Sequence, residues 1–173
     1  IANHLNSVNP TIRSSGEDVL PNIYCGVISA MLAPLYLYSK HYTKREKAGY
    51  VIILALLFLS FNLNTLNYIW HGFHFPNDLP YRLSYIYSFV LLTMAFKALA
   101  HIKDYTPKML LTVGIAALSF IIIAEKIGSK NVTQDTVYVS IIFVVLYTLV
   151  ITMMNSGKYQ TSAVALLLFC CVV

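Results

Sequence analysis

The chain has 173 residues, of which 58% are hydrophobic and only 11% are charged, and its mean hydropathy is +0.68. Soluble domains carry about 25% charged residues, so a compact soluble fold of this length cannot bury this much apolar surface, and lipid is the expected solvent for much of it. The net charge of +5 does not indicate a nucleic-acid partner, because the basic residues lie in short stretches between apolar runs.

Polar residues fill positions 1–21, which we predict to be an extracytoplasmic loop segment. Within it, Glu17 and Asp18 either stabilise the start of the first helix electrostatically or form a second acidic element of an outward-facing site. Residues 22–173 form the predicted transmembrane region, because each complete apolar run is near the length of about 20 residues that crosses a bilayer. The predicted helices are 22–39, 48–69, 83–100, 109–124, 137–154 and 162–173.

The predicted fold class is therefore all-α, a polytopic transmembrane bundle of five full helices plus a truncated sixth. Because the chain starts at Ile1 and stops inside an apolar run, we expect an internal fragment of a larger membrane protein. Helices elsewhere in the same protein are then its first expected partners, together with membrane lipid.

The basic residues predict an orientation in the membrane. Counted with their flanking residues, the loops after the first, third and fifth predicted helices hold eight Lys and Arg residues. The segments on the other side of the membrane hold four. Because cytoplasmic loops carry the excess of Lys and Arg, residues 1–21 and 70–82 are predicted to be extracytoplasmic. The larger set comprises Lys40, Lys44, Arg45, Lys47, Lys97, Lys103, Lys108 and Lys158.

A polar stripe marks the end of the second predicted helix. Its members follow one another at steps of four, three, four and three, which places them on one face of an α-helix. Such a stripe is costly against lipid, so it faces either other helices, through hydrogen bonds, or a substrate site that opens outward. The stripe comprises Ser60, Asn64, Asn67, His71 and His74.

The loop after this stripe contains Pro76, Asp78, Pro80, Tyr81 and Arg82. Two prolines stiffen the backbone, as suits a loop that holds side chains in place. Asp78 and Arg82 either pair with each other, or Arg82 faces an anionic group such as a lipid phosphate while Asp78 acts as a base.

Metal and aromatic chemistry remain open in this region. His71 and His74 are spaced to share a metal ion, but two ligands are too few to define a site, so no cofactor is predicted and a divalent cation is left open. The aromatic residues, among them Trp70 and Tyr81, suit either an interfacial belt or a cleft for a sugar or an isoprenoid tail. The three cysteines match no metal or redox spacing.

Four segments together resemble the YfhO family of bacterial membrane proteins: 21–26 (PNIYCG), 32–36 (LAPLY), 67–77 (NYIWHGFHFPN) and 79–89 (LPYRLSYIYSF). The resemblance is most specific over about 62–90. It implies a GT-C-like fold and a glycosyltransferase that moves a sugar from a polyprenyl-phosphate donor to an extracytoplasmic cell-envelope polymer such as lipoteichoic acid. It also implies that the catalytic base lies outside this chain, with Asp78 the one candidate within it.

On this hypothesis, the substrate-binding candidates are Arg82, His71, His74, Asn67, Asn64, Trp70 and Tyr81. Two other functions remain open: a transporter or flippase of lipid-linked sugar, and a non-catalytic membrane scaffold. A transporter places polar groups near the midplane of several helices, whereas here they cluster toward the predicted outer face, which favours surface chemistry.

Overall fold

The computed structural model describes residues 23–70, 72–73, 81, 83–127 and 134–157, and for Asn64, Asn67 and Ile127 it describes the backbone. Within these residues the chain forms six α-helices and one 3₁₀ helix, with no strand. The elements are α1 (Val27–Tyr38), α2 (Lys44–Asn62), α3 (Asn64–Trp70), α4 (Ser84–Ala100), the 3₁₀ helix (Ile102–Asp104), α5 (Pro107–Ile127) and α6 (Gln134–Ser156).

The helix boundaries differ from the predicted ones where local chemistry intervenes. The second predicted helix, 48–69, is divided at Leu63 into α2 and α3. Helix α2 also starts earlier, because the Thr43 side chain caps it by accepting a hydrogen bond from the Glu46 N–H. The fourth predicted helix, 109–124, extends to 107–127 because Pro107 fits the first helical position. The predicted segments 1–21 and 162–173 lie outside the described residues.

Two of the described helices, α5 and α6, are long and apolar enough to cross a membrane. Helices α1 and α4 are apolar but shorter, at 12 and 17 residues. The first turn of α2 carries Lys44, Arg45, Glu46 and Lys47, and the rest of that helix is uncharged. Length and composition therefore support membrane association through at least α5 and α6.

Helix α1 lies at the centre of the packed region. Its residues Met31, Leu32, Leu35 and Tyr36 are buried, and it packs most extensively against α4, where Ala98 is fully buried. It also contacts α5 and α6, which pack against each other. The core is thus built around α1, and α2 contributes little to it, with Leu57 and Ser60 its buried residues.

Large apolar side chains are left exposed on each of the six described α-helices, including Phe58 on α2, Phe96 on α4 and Leu149 on α6. So many exposed large apolar side chains are unusual for a soluble monomer. These faces therefore suit contact with lipid chains or with further helices.

Helices α5 and α6 approach closely at Gly114. A Cβ added there would lie 2.7 Å from Thr148 Oγ1 and 3.1 Å from Thr148 Cγ2. The Thr148 hydroxyl is held by its donation to the Val144 carbonyl oxygen at 2.7 Å. Small residues allow such approaches in membrane helix pairs.

We expect Gly114→Ala to lower the melting temperature of the full-length protein in detergent, because the new methyl group collides with Thr148. Gly49→Ala is the matched control, since nothing lies within 4 Å of a Cβ at that position. There the helix gains the intrinsic advantage of Ala over Gly, about 0.8–1 kcal/mol. Thermal unfolding followed by circular dichroism distinguishes the two, and equal shifts of the melting temperature would contradict the close approach.

Candidate functional site

A break at Leu63 separates α2 from α3. Leu63 is extended, with φ −109° and ψ 109°, and its N–H donates to the Leu59 carbonyl oxygen at 2.9 Å, which closes the end of α2. Helix α3 then restarts, with the Leu66 N–H donating to the Leu63 carbonyl oxygen at 3.1 Å. Ser60 and Asn64 therefore do not share one continuous helical face, which corrects the predicted single stripe from Ser60 onward.

The chain reverses direction after this break. Trp70 Nε1 donates a hydrogen bond of 2.9 Å to Ser60 Oγ, although in a continuous helix ten residues would separate the two by about 15 Å. The buried Ser60 hydroxyl itself donates to the Leu56 carbonyl oxygen at 2.7 Å. Trp70 is therefore anchored back onto α2, with about half of its side chain still exposed.

A glycine ends α3. Gly72 has φ +69°, its N–H donates to the Ile69 carbonyl oxygen, and the Phe73 N–H donates to the Tyr68 carbonyl oxygen at 3.0 Å. This is the Schellman arrangement, and the rings of Tyr68 and Phe73 meet edge to face at 6.0 Å as the motif favours. Phe73 also has a positive φ, +60°, a conformation that costs a non-glycine residue on the order of 1–2 kcal/mol. The strained residue lies within the segment that carries the family resemblance.

Aromatic side chains connect the end of α2 to the start of α4. Phe61 meets Tyr81 at 6.0 Å and Tyr87 at 5.7 Å between ring centroids, both edge to face. A separate open groove of about 480 Å³ at the start of α4 is lined by Tyr24, Tyr85, Ile86, Ser88, Phe89 and Leu92. Its lining is mostly apolar, and Tyr85 and Phe89 are each more than two-thirds exposed.

Among the predicted site residues, Trp70 at the end of α3 is hydrogen-bonded to Ser60 of α2. Tyr81 packs against Phe61, also of α2. Asn64 and Asn67 lie in α3. The remaining predicted residues, His71, His74, Asp78 and Arg82, lie outside the described residues. The pairing of Asp78 with Arg82 and any metal site at the two histidines therefore remain predictions.

A second cluster lies at the opposite end of α4, and the sequence analysis did not identify it. Lys97 Nζ forms an ion pair of 2.5 Å with Glu46 Oε1, which also accepts a hydrogen bond of 3.1 Å from the Tyr36 hydroxyl. The same ammonium lies 4.6 Å from the ring centroid of Tyr42 and 5.5 Å from that of Tyr50. The cluster joins α1, α2 and α4.

The signal for this cluster was present in the sequence. Lys97 falls inside the third predicted apolar run, and a charged residue within such a run requires a partner. The orientation argument uses Lys97 only as one basic residue among eight, and that use predicts no partner for it. In the structure, the hydrogen bond from Lys97 lowers the pKa of the Glu46 carboxyl, with the Tyr36 hydroxyl acting in the same direction.

Near this cluster, the ligand atoms of His41, His101 and Asp104 lie within 4.8 Å of one another. Among the residues that the structure describes, these three could share a metal ion. His41 Nε2 lies 2.7 Å from Asp104 Oδ2.

Taken together, an all-helical architecture, two helices able to cross a bilayer and exposed apolar faces define a membrane protein. The chain belongs to the family described as bacterial membrane protein YfhO, whose model matches residues 3–173. The resemblance drawn from segments 21–26, 32–36, 67–77 and 79–89 is thereby confirmed. Comparison with curated proteins and comparison with solved structures each found no match.

We expect Trp70 and Ser60 to be energetically coupled. Trp70→Phe and Ser60→Ala each remove one side of the hydrogen bond, so their effects on the free energy of unfolding should fall short of additivity by about 0.5–1.5 kcal/mol. The measurement is a double-mutant cycle by denaturant unfolding in detergent. Pairing Trp70→Phe with Thr112→Val on α5 supplies the uncoupled control, and additive effects for the first pair would contradict the chain reversal.

Acid should weaken the Glu46 cluster. The folded-state pKa of Glu46 is lowered, so its stabilisation is fully present above the ordinary Glu pKa of about 4.3 and is lost as the pH falls through the lowered value. Melting temperatures measured across that acid range should therefore fall more steeply for the wild type than for Glu46→Gln or Lys97→Met. Parallel curves for all three proteins would show that Glu46 is not the source of the pH dependence of the melting temperature.

Proposed function

We propose that this chain is part of a multi-pass membrane glycosyltransferase of GT-C-like fold. It would move a sugar from a polyprenyl-phosphate donor to an extracytoplasmic polymer such as lipoteichoic acid. The observation that carries the proposal is the chain reversal after Leu63, which returns Trp70 to Ser60, the neighbour in sequence of the Phe61 that packs on Tyr81 before α4. The family membership of the chain supports it.

The position of the break supports chemistry at the membrane surface. Helix α2 starts with charged residues at Lys44 and runs for 19 residues before Leu63. Its first four residues are charged, and the uncharged remainder, 48–62, is about 22 Å long at 1.5 Å per residue, whereas the hydrocarbon core is about 30 Å thick. With the charged turn at one surface, the reversal then lies in the outer half of the bilayer, and residues 70–82 and 1–21 face outward, as the distribution of basic residues predicts.

A donor on a polyprenyl phosphate has three parts, and this region offers chemistry suited to each. The exposed rings of Tyr85 and Phe89 in the groove suit an isoprenoid chain. Aromatic side chains such as Trp70 and Tyr81 suit the faces of a sugar ring. Arg82 would offer its guanidinium fork to the leaving phosphate.

The remaining residues complete the proposed cleft. Asp78 is the candidate within this chain to take the proton of the acceptor hydroxyl. His71, His74, Asn64 and Asn67 would line the wall with hydrogen-bonding groups. Other helices of the same protein would close the site and contribute further acidic residues, and a divalent cation at the site is left open.

A flippase of lipid-linked sugar is the second candidate, and one observation favours it: transporters build their sites from interrupted helices, and α2–α3 is interrupted. Transporter interruptions lie near the bilayer midplane, however, whereas the uncharged length of α2 puts this one in the outer half of the bilayer. We therefore rank transfer above transport, and a non-catalytic scaffold below both.

The test uses the full-length protein in membrane vesicles supplied with labelled polyprenyl-phosphate sugar and a polymer acceptor. We expect Arg82→Ala and Asp78→Asn to reduce label transfer, Arg82→Ala by at least about 100-fold if it contacts the developing charge. Arg45→Ala, on α2 at the opposite end, is the matched loss of an arginine and should retain transfer. Arg82→Lys and the amount of folded protein in each membrane preparation control for misfolding.

Each outcome decides between the candidates. Transfer that falls in the loop variants supports the proposed site. Transfer that is unaffected by both keeps the enzyme and removes this loop from the site. Label that only changes leaflet supports the flippase, and label that neither moves nor is transferred supports the scaffold.

A further inference from the structure

Three metal-ligating side chains converge where the chain leaves α1 and α4. His41 lies in the connection from α1 to α2, His101 precedes the 3₁₀ helix after α4, and Asp104 is the last residue of that 3₁₀ helix. His41 Nε2 is 2.7 Å from Asp104 Oδ2, and His101 Nδ1 is 3.6 Å from the same oxygen. The two imidazole rings stack with centroids 3.9 Å apart. His41 and Asp104 are thus 63 residues apart in sequence and adjacent in space.

The backbone under these side chains is fixed by polar contacts. Asn155 Nδ2 at the end of α6 donates to the carbonyl oxygens of Ile102 and Tyr105, both at 2.8 Å, and so holds the 3₁₀ helix from either end. The His41 N–H donates to Ser39 Oγ at 3.3 Å. The Tyr42 hydroxyl donates to the Lys97 carbonyl oxygen at 3.3 Å, which joins the two segments. The ligand-bearing backbone is therefore placed before any ion arrives.

The side chains above that backbone remain free to adjust. His41, His101 and Asp104 are 46%, 33% and 56% exposed. In tetrahedral zinc sites with metal–ligand distances near 2.0–2.2 Å, neighbouring ligand atoms lie about 3.4 Å apart. Here the ligand atoms lie within 4.8 Å of one another, so closing onto an ion takes shifts of about 1.5 Å or less.

We propose that His41, His101 and Asp104 bind a divalent transition-metal ion of the Zn²⁺ class, with water completing the shell. Two imidazole nitrogens and one carboxylate oxygen suit such ions, whereas Mg²⁺ and Ca²⁺ prefer shells of oxygen. The rings are stacked with only 12° between their planes, so one ring turns about its terminal torsion for both lone pairs to meet the ion. Asp104 exchanges its hydrogen bond from His41 for the metal bond, and the proton on His41 Nε2 passes to solvent, so that Nε2 offers its lone pair to the ion while the neutral ring carries its proton on Nδ1.

The bound ion would join the α1–α2 connection to the α4–α5 connection. Both lie at the end that carries the Lys97–Glu46 ion pair, across the protein from the proposed transfer site. The inference does not depend on the proposed function, because its ligands, its location and its readout are separate from sugar transfer.

The test uses the full-length protein, purified in detergent and stripped with a chelator, and titrated with Co²⁺ and then Zn²⁺. We expect the visible absorption of four-coordinate Co²⁺ to appear at one equivalent and to disappear when Zn²⁺ displaces the ion. His41→Ala, His101→Ala and Asp104→Asn should each weaken binding by at least about 100-fold, the upper end of what loss of a supporting outer ligand costs. Lys103→Ala, in the same 3₁₀ helix, is the matched control and should keep the signal.

The other histidines of the chain require their own control. The His71→Ala and His74→Ala double variant should retain the Co²⁺ spectrum, because those residues lie in a different segment. Loss of the signal in that variant, or its persistence in all three ligand variants, would overturn the assignment. A titration in which Mg²⁺ competes as well as Zn²⁺ does would also overturn it.

Discussion

The ammonium group of Lys97 must be satisfied near the end of a helix that is otherwise apolar, and this requirement organises one whole end of the molecule. The structure meets it with the Glu46 carboxylate and with the rings of Tyr42 and Tyr50, drawn from the connection before α2 and from α2 itself. The Tyr36 hydroxyl on α1 completes the hydrogen bonding of Glu46. Three helices are thereby fixed at one point. Removing either charge would leave the other, which is only partly exposed, without its ion partner.

The two ends of the described helices are held by different kinds of contact. At the Lys97 end, polar contacts join residues that are 51 to 63 positions apart, as in Glu46 with Lys97 and His41 with Asp104. At the other end, a hydrogen bond joins Ser60 and Trp70, only ten positions apart, and the Phe61 ring packs edge to face on Tyr81 and Tyr87. The Lys97 end is therefore held by long-range polar contacts, and the other end by a local hydrogen bond and by aromatic packing.

The aromatic segment between α2 and α4 derives its shape from backbone chemistry. Leu63 in an extended conformation ends one helix, and Gly72 in a left-handed conformation ends the next. The turn at Leu63 points Trp70 back to α2 while much of its ring remains accessible. The turn at Gly72 follows after α3. Interfacial anchoring and ligand stacking both use such half-exposed aromatic rings.

The sequence by itself determined the class of protein and the approximate position of its helices. Apolar runs depend only on local hydropathy, which is why α4 occupies 84–100 where the sequence predicts 83–100. The family resemblance rests instead on the particular residues of the segments between 21 and 89, and the family match over residues 3–173 confirms it. Periodicity could not reveal the break at Leu63, because neither proline nor glycine marks it and the polar spacing continues through it. Only the tertiary structure decided that Trp70 returns to Ser60, that Lys97 pairs with Glu46, and that His41 meets Asp104. The physical reason is that these contacts depend on which helix ends come together, and the spacing of residues along one helix carries no information about its neighbours.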